Sequence, residues 1–173
     1  MEKRPNAVTF KGKGYTLVGP ALKPGDKAPD FKCITNGLEP KTLADTPGKA
    51  RLFSVVPSLD TPVCSQQTHR FDTELASLKD KVACYTISLD LPFAQKRFCT
   101  AENVTNLETL SDTHNHSFGQ NYGVLIEGLP FPLLSRAIFV VDKSGKITYV
   151  EYVPDVPQHP NYEKALAAVK AAV

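Results

Sequence analysis

From residue 51 onwards, short β-branched runs alternate with stretches of helical spacing, and this alternation constrains the fold more than any other feature. The pattern predicts a strand over 51–56 and a helix over 62–78, with Phe71, Leu75 and Leu78 on one face. A strand over 81–89 (KVACYTISL) and a short helix over 92–101, opened by Pro92, come next. Beyond them the pattern gives a short strand over 107–110, a helical turn over 117–122 and a strand over 136–141. Asp142-Lys143-Ser144-Gly145 is a tight turn into a last strand over 146–152, and 161–172 is an alanine-rich terminal helix. Ahead of this body, residues 1–20 read as a hairpin: Val8-Thr9-Phe10, a Gly12-Lys13-Gly14 turn, then Tyr15-Thr16-Leu17-Val18. A proline-rich loop over 19–29 and a short strand over 31–34 join the two parts.

Strands that alternate with helices imply an α/β sandwich with a parallel centre. The strand pair over 136–152 adds an antiparallel edge. The expected fold is therefore α/β and thioredoxin-like: a central mixed sheet flanked by helices, with the hairpin in front. Residues 1–173 are expected to make one such domain, with 1–20 as its hairpin extension. Right-handed crossovers place the helices after the first two strands with their N-termini at one end of the sheet. Sites in open α/β sheets lie at that end, and Cys64 falls there.

Composition narrows the function by exclusion. A net charge of +2 gives no reason to expect a nucleic-acid or membrane partner. No run approaches the about 18 apolar residues of a membrane span. The N-terminus MEKRPNAVTFKGKGY has no apolar core of a secretory signal, so a cytoplasmic protein is expected. The four cysteines, Cys33, Cys64, Cys84 and Cys99, contain no CxxC pair. A structural zinc site is not expected, nor is any other metal or cofactor. A cytoplasmic chain of this size needs no structural disulfide, so redox or nucleophilic chemistry on one or two thiols is the remaining use.

Cys64 is the best placed of the four. With Thr61 as N-cap and Pro62 as the first helical residue, Cys64 lies in the first turn. Backbone N–H groups there lack helical acceptors, and the positive end of the dipole favours a thiolate. An ordinary cysteine is roughly 3% ionised at pH 7, so full ionisation gains only about thirtyfold, near 2 kcal/mol. Other groups must bind the substrate and stabilise the leaving group. The bland reading of Cys64 is an inert core cysteine.

The residues around Cys64 carry a resemblance. Pro57-Ser58-Leu59-Asp60-Thr61-Pro62-Val63-Cys64 has the spacing PxxxTxxC and resembles the peroxidatic loop of peroxiredoxins. The segments FSVVPSLDTPVCSQQTHRF, SLDLPFAQKRFC and SRAIFVVD are similar to the thiol peroxidase subfamily of bacterial peroxiredoxins, over nearly the whole chain. The resemblance implies that Cys64 attacks a hydroperoxide and becomes a sulfenic acid. Thr61 would relay a hydrogen bond between its hydroxyl, the thiolate and the peroxide. Pro57 would shield the sulfur from water, and Arg136 would hold thiolate and peroxide. Cys99 would resolve the sulfenic acid as an intramolecular disulfide, which thioredoxin would reduce. Hydrogen peroxide and alkyl hydroperoxides are the implied substrates, and a homodimer with its interface near the active-site loops the implied assembly.

The residues themselves leave plainer alternatives open. Arg136 reads equally as an exposed strand-end arginine in a surface ion pair, Thr61 as a simple N-cap and Pro57 as a strand terminator. If Pro92 opens its helix, Cys99 lies about 10 Å along the axis, while a disulfide needs Cα atoms within about 7 Å. The two sulfurs are therefore expected apart in the reduced fold, and pairing to require unwinding of both first turns. Cys84 reads as inert core. Cys33 reads as structural too, or as a second thiol. His114 and His116 form an HxH without a third metal ligand, and a solvated loop is the better reading. His69 lies five residues after Cys64 and points another way on a helix. Phe93 and Phe98 are candidates to line an apolar mouth, or else to pack in the core. Two further functions stay open: a disulfide oxidoreductase, against which the missing CxxC counts, and a non-enzymatic sensor that binds a partner when Cys64 oxidises.

Overall fold

The computed structural model describes residues 1–173. Its apolar runs become the strands of two sheets. β1 (Lys3–Phe10) and β2 (Lys13–Val18) form the N-terminal hairpin. β3 (Lys32–Thr35) and β4 (Pro40–Thr42) follow as a second, shorter one. The body then runs β5 (Ala50–Val55), α1 (Pro62–Glu74), β6 (Val82–Ser88), α2 (Pro92–Ala101), β7 (Glu108–Ser111) and α3 (Ser117–Asn121). β8 (Leu125–Glu127), β9 (Leu133–Leu134), β10 (Ala137–Val141), β11 (Ile147–Tyr152) and α4 (Tyr162–Ala172) complete it.

Seven strands form the main sheet in the order β11-β10-β5-β6-β7-β3-β4. The β5–β6 and β6–β7 pairs are parallel, and the outer pairs antiparallel. This is the expected mixed, thioredoxin-like sheet. The second sheet, β1-β2-β8-β9, extends the hairpin with two later strands.

Central strands are buried on both faces, which is why their sequences read as nearly continuous apolar runs. β5 shows the period of two directly. Phe53 and Val55 enter a core with Phe31, Phe118, Tyr122 and Phe139, where Phe118 and Tyr122 stack at 4.0 Å. Leu52 points the other way, to Phe71 within α1 and Leu75 just after it, and to Leu166 and Val169 of α4. β10 alternates alike, so Ile138 and Val140 face α1 and α4. Arg136 precedes Ala137, and the same alternation turns it towards α1.

Several boundaries differ from the sequence expectation. The first hairpin turns at Lys11-Gly12, not Gly12-Lys13-Gly14. Both residues take left-handed φ (52° and 76°), as a two-residue hairpin turn requires. Gly14 is already in β2 opposite Thr9, where its neighbour is the exposed Asn6 side chain. The expected 62–78 helix ends at Glu74, and Ala76–Leu78 tightens into a 3-10 turn. The 107–110 strand shifts to Glu108–Ser111. β4, β8 and β9, of three, three and two residues, were not expected. No helix is long and apolar enough to cross a membrane.

Candidate active site

β5 delivers the chain to the carboxyl end of the sheet, and a five-residue loop, Pro57 to Thr61, leads into α1. Thr61 occupies the N-cap with extended dihedrals, and Pro62 is the first helical residue. The Thr61 hydroxyl, however, does not cap. It lies 2.8 Å from Cys64 Sγ and 2.9 Å from Ser58 O. One hydrogen can serve only one of these. A thiol would donate to Thr61 while Thr61 donates to the carbonyl; a thiolate would receive the Thr61 proton instead. The Ser58 N–H donates to the same sulfur at 3.5 Å.

The remaining donor comes from Arg136. Its guanidinium is 1% exposed, so the surface ion-pair reading of this residue is wrong. Nη1 donates to Cys64 Sγ at 3.4 Å and to Gln67 Oε1 at 3.0 Å. Nε and Nη2 donate to Val156 O at 3.2 and 2.9 Å. None of these acceptors is a carboxylate. Val156 is itself held by the N-terminal hairpin, through its N–H to Thr9 O and its packing against Val8 and Leu17. The hairpin thus braces the arginine.

Gln67, on α1 three residues after Cys64, was missed in the sequence. It is fully buried; Oε1 accepts from Arg136 while Nε2 donates to Ser54 Oγ at 2.7 Å. The available signal was spacing alone: i and i+3 share a helix face, so a polar residue there faces whatever Cys64 faces. Asp90 was missed as well. It accepts from Ser58 Oγ, the Leu59 N–H and Ser88 Oγ at 2.8, 2.8 and 2.7 Å.

Pro57 is buried, and it joins Thr61, Pro62, Val63 and Arg136 in the wall of an apolar cavity of about 320 Å³. Phe10, Phe131 and Leu133 form the opposite side. Neither Phe93 nor Phe98 lines this cavity; Phe98 borders a separate, more polar cleft with Thr61 and Pro62. Phe93 is exposed on α2, and Phe98 packs beneath Cys64 with Val56, Leu59 and Val104.

Cys99 packs at the margin of that same cluster, half-buried, with Thr109 Oγ1 3.6 Å from its sulfur. Cys64 and Cys99 are both free thiols held by separate partners. Cys33 and Cys84 are buried in the two larger cores. Burial, with the charge of Asp112 second, pushes the Cys33 thiol far up; burial and then Asp72 do the same for Cys84. Both shifts disfavour a thiolate. His69 turns away from Cys64 to Glu102, at 3.1 Å.

Cys64 therefore meets three donors beside an apolar cavity. This arrangement can hold a sulfur anion and the oxygen it attacks. The comparisons with known proteins agree with that chemistry. A family model described as Redoxin matches residues 23–166. The chain is 54% identical to the thiol peroxidase of Bacillus subtilis strain 168 over 166 residues, 96% of this chain and 98% of that one. It is 52% identical to the thiol peroxidase of Halalkalibacterium halodurans over 167 residues, 96% and 99% of the two chains. The crystal structure of a peroxiredoxin-like protein from Aquifex aeolicus superposes with a TM-score of 0.90 at 41% identity, covering 97% of this chain and 98% of the other. The chain belongs to the Redoxin family and, within it, to the peroxiredoxins of thiol peroxidase type.

Proposed function

We propose that the protein reduces hydrogen peroxide and alkyl hydroperoxides through Cys64, with Cys99 as resolving cysteine. The observation that carries this is the convergence of Thr61, Ser58 and Arg136 on one sulfur, at 2.8, 3.5 and 3.4 Å. The Cys64 thiolate attacks the terminal peroxide oxygen. An S–O bond forms, the O–O bond breaks, and the alkoxide leaves to take up a proton. Sulfur is oxidised to sulfenic acid. Arg136 and Thr61 stabilise the charge as it moves from sulfur to the departing oxygen, and Pro57 keeps water from the sulfur.

The Cys99 thiolate then attacks the sulfenic sulfur; an S–S bond forms, the S–O bond breaks, and the departing hydroxide takes up a proton as water. A dithiol returns two electrons and restores both thiols, and thioredoxin is the dithiol we propose. The apolar cavity beside Arg136 favours substrates with a hydrocarbon tail. A homodimer, a cytoplasmic location and a single working domain over 1–173 belong to the same proposal, on the strength of the sequence resemblance.

The test is one equivalent of cumene hydroperoxide added to the reduced protein, with thiols mapped by mass spectrometry. The expected result is a Cys64–Cys99 disulfide with Cys33 and Cys84 still free. Four unchanged thiols would overturn the reading.

A further inference from the structure

Asp90 sits between the end of β6 and the start of α2, the helix that carries Cys99. Its carboxylate is half-buried and accepts three hydrogen bonds. Oδ1 accepts from Ser58 Oγ at 2.8 Å; Oδ2 accepts from the Leu59 N–H at 2.8 Å and from Ser88 Oγ at 2.7 Å. The peroxidatic loop is thus fastened to the base of α2 by one side chain.

Ser58 is what makes this fastening matter. Its N–H donates to Cys64 Sγ, and its carbonyl lies 2.9 Å from the Thr61 hydroxyl that also reaches that sulfur. Displacing Ser58 therefore disturbs two of the three donors around Cys64. Leu59, next in the chain, is buried with Cys64 and Phe98, and Cys99 packs at the edge of this group. An exposed Arg97–Asp60 pair at 3.5 Å also joins α2 to the loop, but a pair so solvated contributes little.

We propose that Asp90 is a positioning residue with two opposed effects. It holds the loop in the geometry that reacts with hydroperoxide, and it must release the loop before Cys64 can bond to Cys99. The inference rests on the Cys64–Cys99 cycle proposed above. Between those two events the sulfenic acid has a choice. Cys99 attack gives the disulfide and water. A second hydroperoxide gives the sulfinic acid: another S–O bond forms, another O–O bond breaks, and an alcohol leaves. Asp90 sets how long the sulfenic acid stays in the closed loop, and so how often it is over-oxidised.

The experiment follows both steps in Asp90→Ala, Asp90→Asn and Ser58→Ala by rapid mixing with cumene hydroperoxide. Cys64 oxidation, disulfide closure and sulfinic acid are read separately, the last by mass spectrometry. Each charge-assisted hydrogen bond lost is worth about tenfold in the opening equilibrium, and Asp90→Ala removes the two that reach the loop, from Ser58 Oγ and the Leu59 N–H. Asp90→Ala is expected to speed disulfide closure by about tenfold or more, and to slow Cys64 oxidation by a smaller factor through the Ser58 and Thr61 donors it leaves unfastened. It should also need at least about tenfold more hydroperoxide for the same sulfinic fraction. Asp90→Asn should recover most of the wild-type behaviour. Its Oδ1 can accept from the Leu59 N–H and Ser88, while its Nδ2 donates to Ser58 Oγ. Ser58→Ala removes one of Asp90's two bonds to the loop, together with the Asp60 N–H that Ser58 Oγ accepts at 3.2 Å, and keeps the Leu59 N–H bond, so it should move in the Ala direction by a smaller factor and carry the test if Asp90→Ala does not fold.

A merely structural role for Asp90 would slow both steps together. If the wild type closes its disulfide but the Ala variants close it no faster, the Asp90 assignment fails alone. If the wild type forms no Cys64–Cys99 disulfide, the proposed cycle fails, and this inference with it.

Discussion

Arg136→Lys separates the guanidinium fork from its charge. In the folded chain Nη1 lies 3.4 Å from Cys64 Sγ. With an effective dielectric constant of about 20, a thiolate at that distance would be attracted by about 5 kcal/mol before desolvation is counted. Only the part that grows as charge moves from sulfur to the departing oxygen accelerates the reaction. Removing one aligned donor from such a site typically costs about 10²–10³ in rate, some 3–4 kcal/mol. Lysine keeps the charge but cannot hold Val156 O, Gln67 Oε1 and Cys64 Sγ together, because its ammonium is a single point on a flexible stem. Rapid-mixing oxidation of the reduced variant by cumene hydroperoxide should therefore be about a hundredfold slower than wild type, with an unchanged far-UV circular dichroism spectrum. A folded Arg136→Lys protein within about threefold of wild type would mean that charge alone suffices and that the fork geometry has been over-read.

Thr61→Val removes the hydroxyl 2.8 Å from Cys64 Sγ while keeping the shape. Peroxide reduction should fall about 10²-fold, and Thr61→Ser should restore most of it in the same assay. Gln67→Leu strands an Arg136 donor and Ser54 Oγ in the core, which should lower urea stability by about 1–3 kcal/mol and peroxide reduction with it; Gln67→Glu should regain the peroxide rate more than Gln67→Leu does. Cys84 supplies a pH test. Burial raises its folded thiol well above the ordinary range, so its contribution is complete below the unfolded value, about 8.5, and is lost as pH rises towards the folded one. Urea unfolding should show the stability difference between wild type and Cys84→Val falling by about 2 kcal/mol between pH 8 and pH 10. A constant difference would show that Cys84 ionises as freely folded as unfolded.

The legible part of the site was the part contiguous in sequence. Pro57, Thr61 and Cys64 lie within one loop and one helical turn, so their spacing and the chemistry of a helix start bring them together. Arg136 comes from 72 residues away, and only the resemblance pointed to it. The residues alone left a surface arginine equally open, because a strand end gives no sign of which face the next element will cover. Gln67 and Asp90 look like ordinary solvated polar residues, and nothing local shows that α1 and the β6–α2 turn will enclose them. The same limit governs the fold. Long buried runs such as β5 and β10 declared themselves, whereas β8 and β9, with three and two residues, are too short for alternation to register. The glycines around Lys13 misplaced the first turn, since Gly14 pairs with Thr9 within β2 and only Lys11 and Gly12 take the left-handed turn conformation.

The donors around Cys64 divide by what carries them. Arg136 is fixed to the sheet margin and held through Val156 and Gln67, whose other contacts lie on the hairpin and on β5. Ser58 and Thr61 belong to the loop, so they would leave with Cys64 if it moved. Peroxide chemistry needs donors already in place, and disulfide closure needs some of them to let go. With the immobile donor at the sheet margin and the mobile ones on a loop, one fold could serve both steps of the proposed cycle. Arg136 bears the consequence. Its acceptors are a carbonyl, an amide and a sulfur, with no carboxylate among them. Whenever Cys64 departs, a buried cation loses its one acceptor able to carry a charge. Such a loss is unfavourable, and in the proposed cycle it would draw Cys64 back into the reactive loop once the disulfide was reduced.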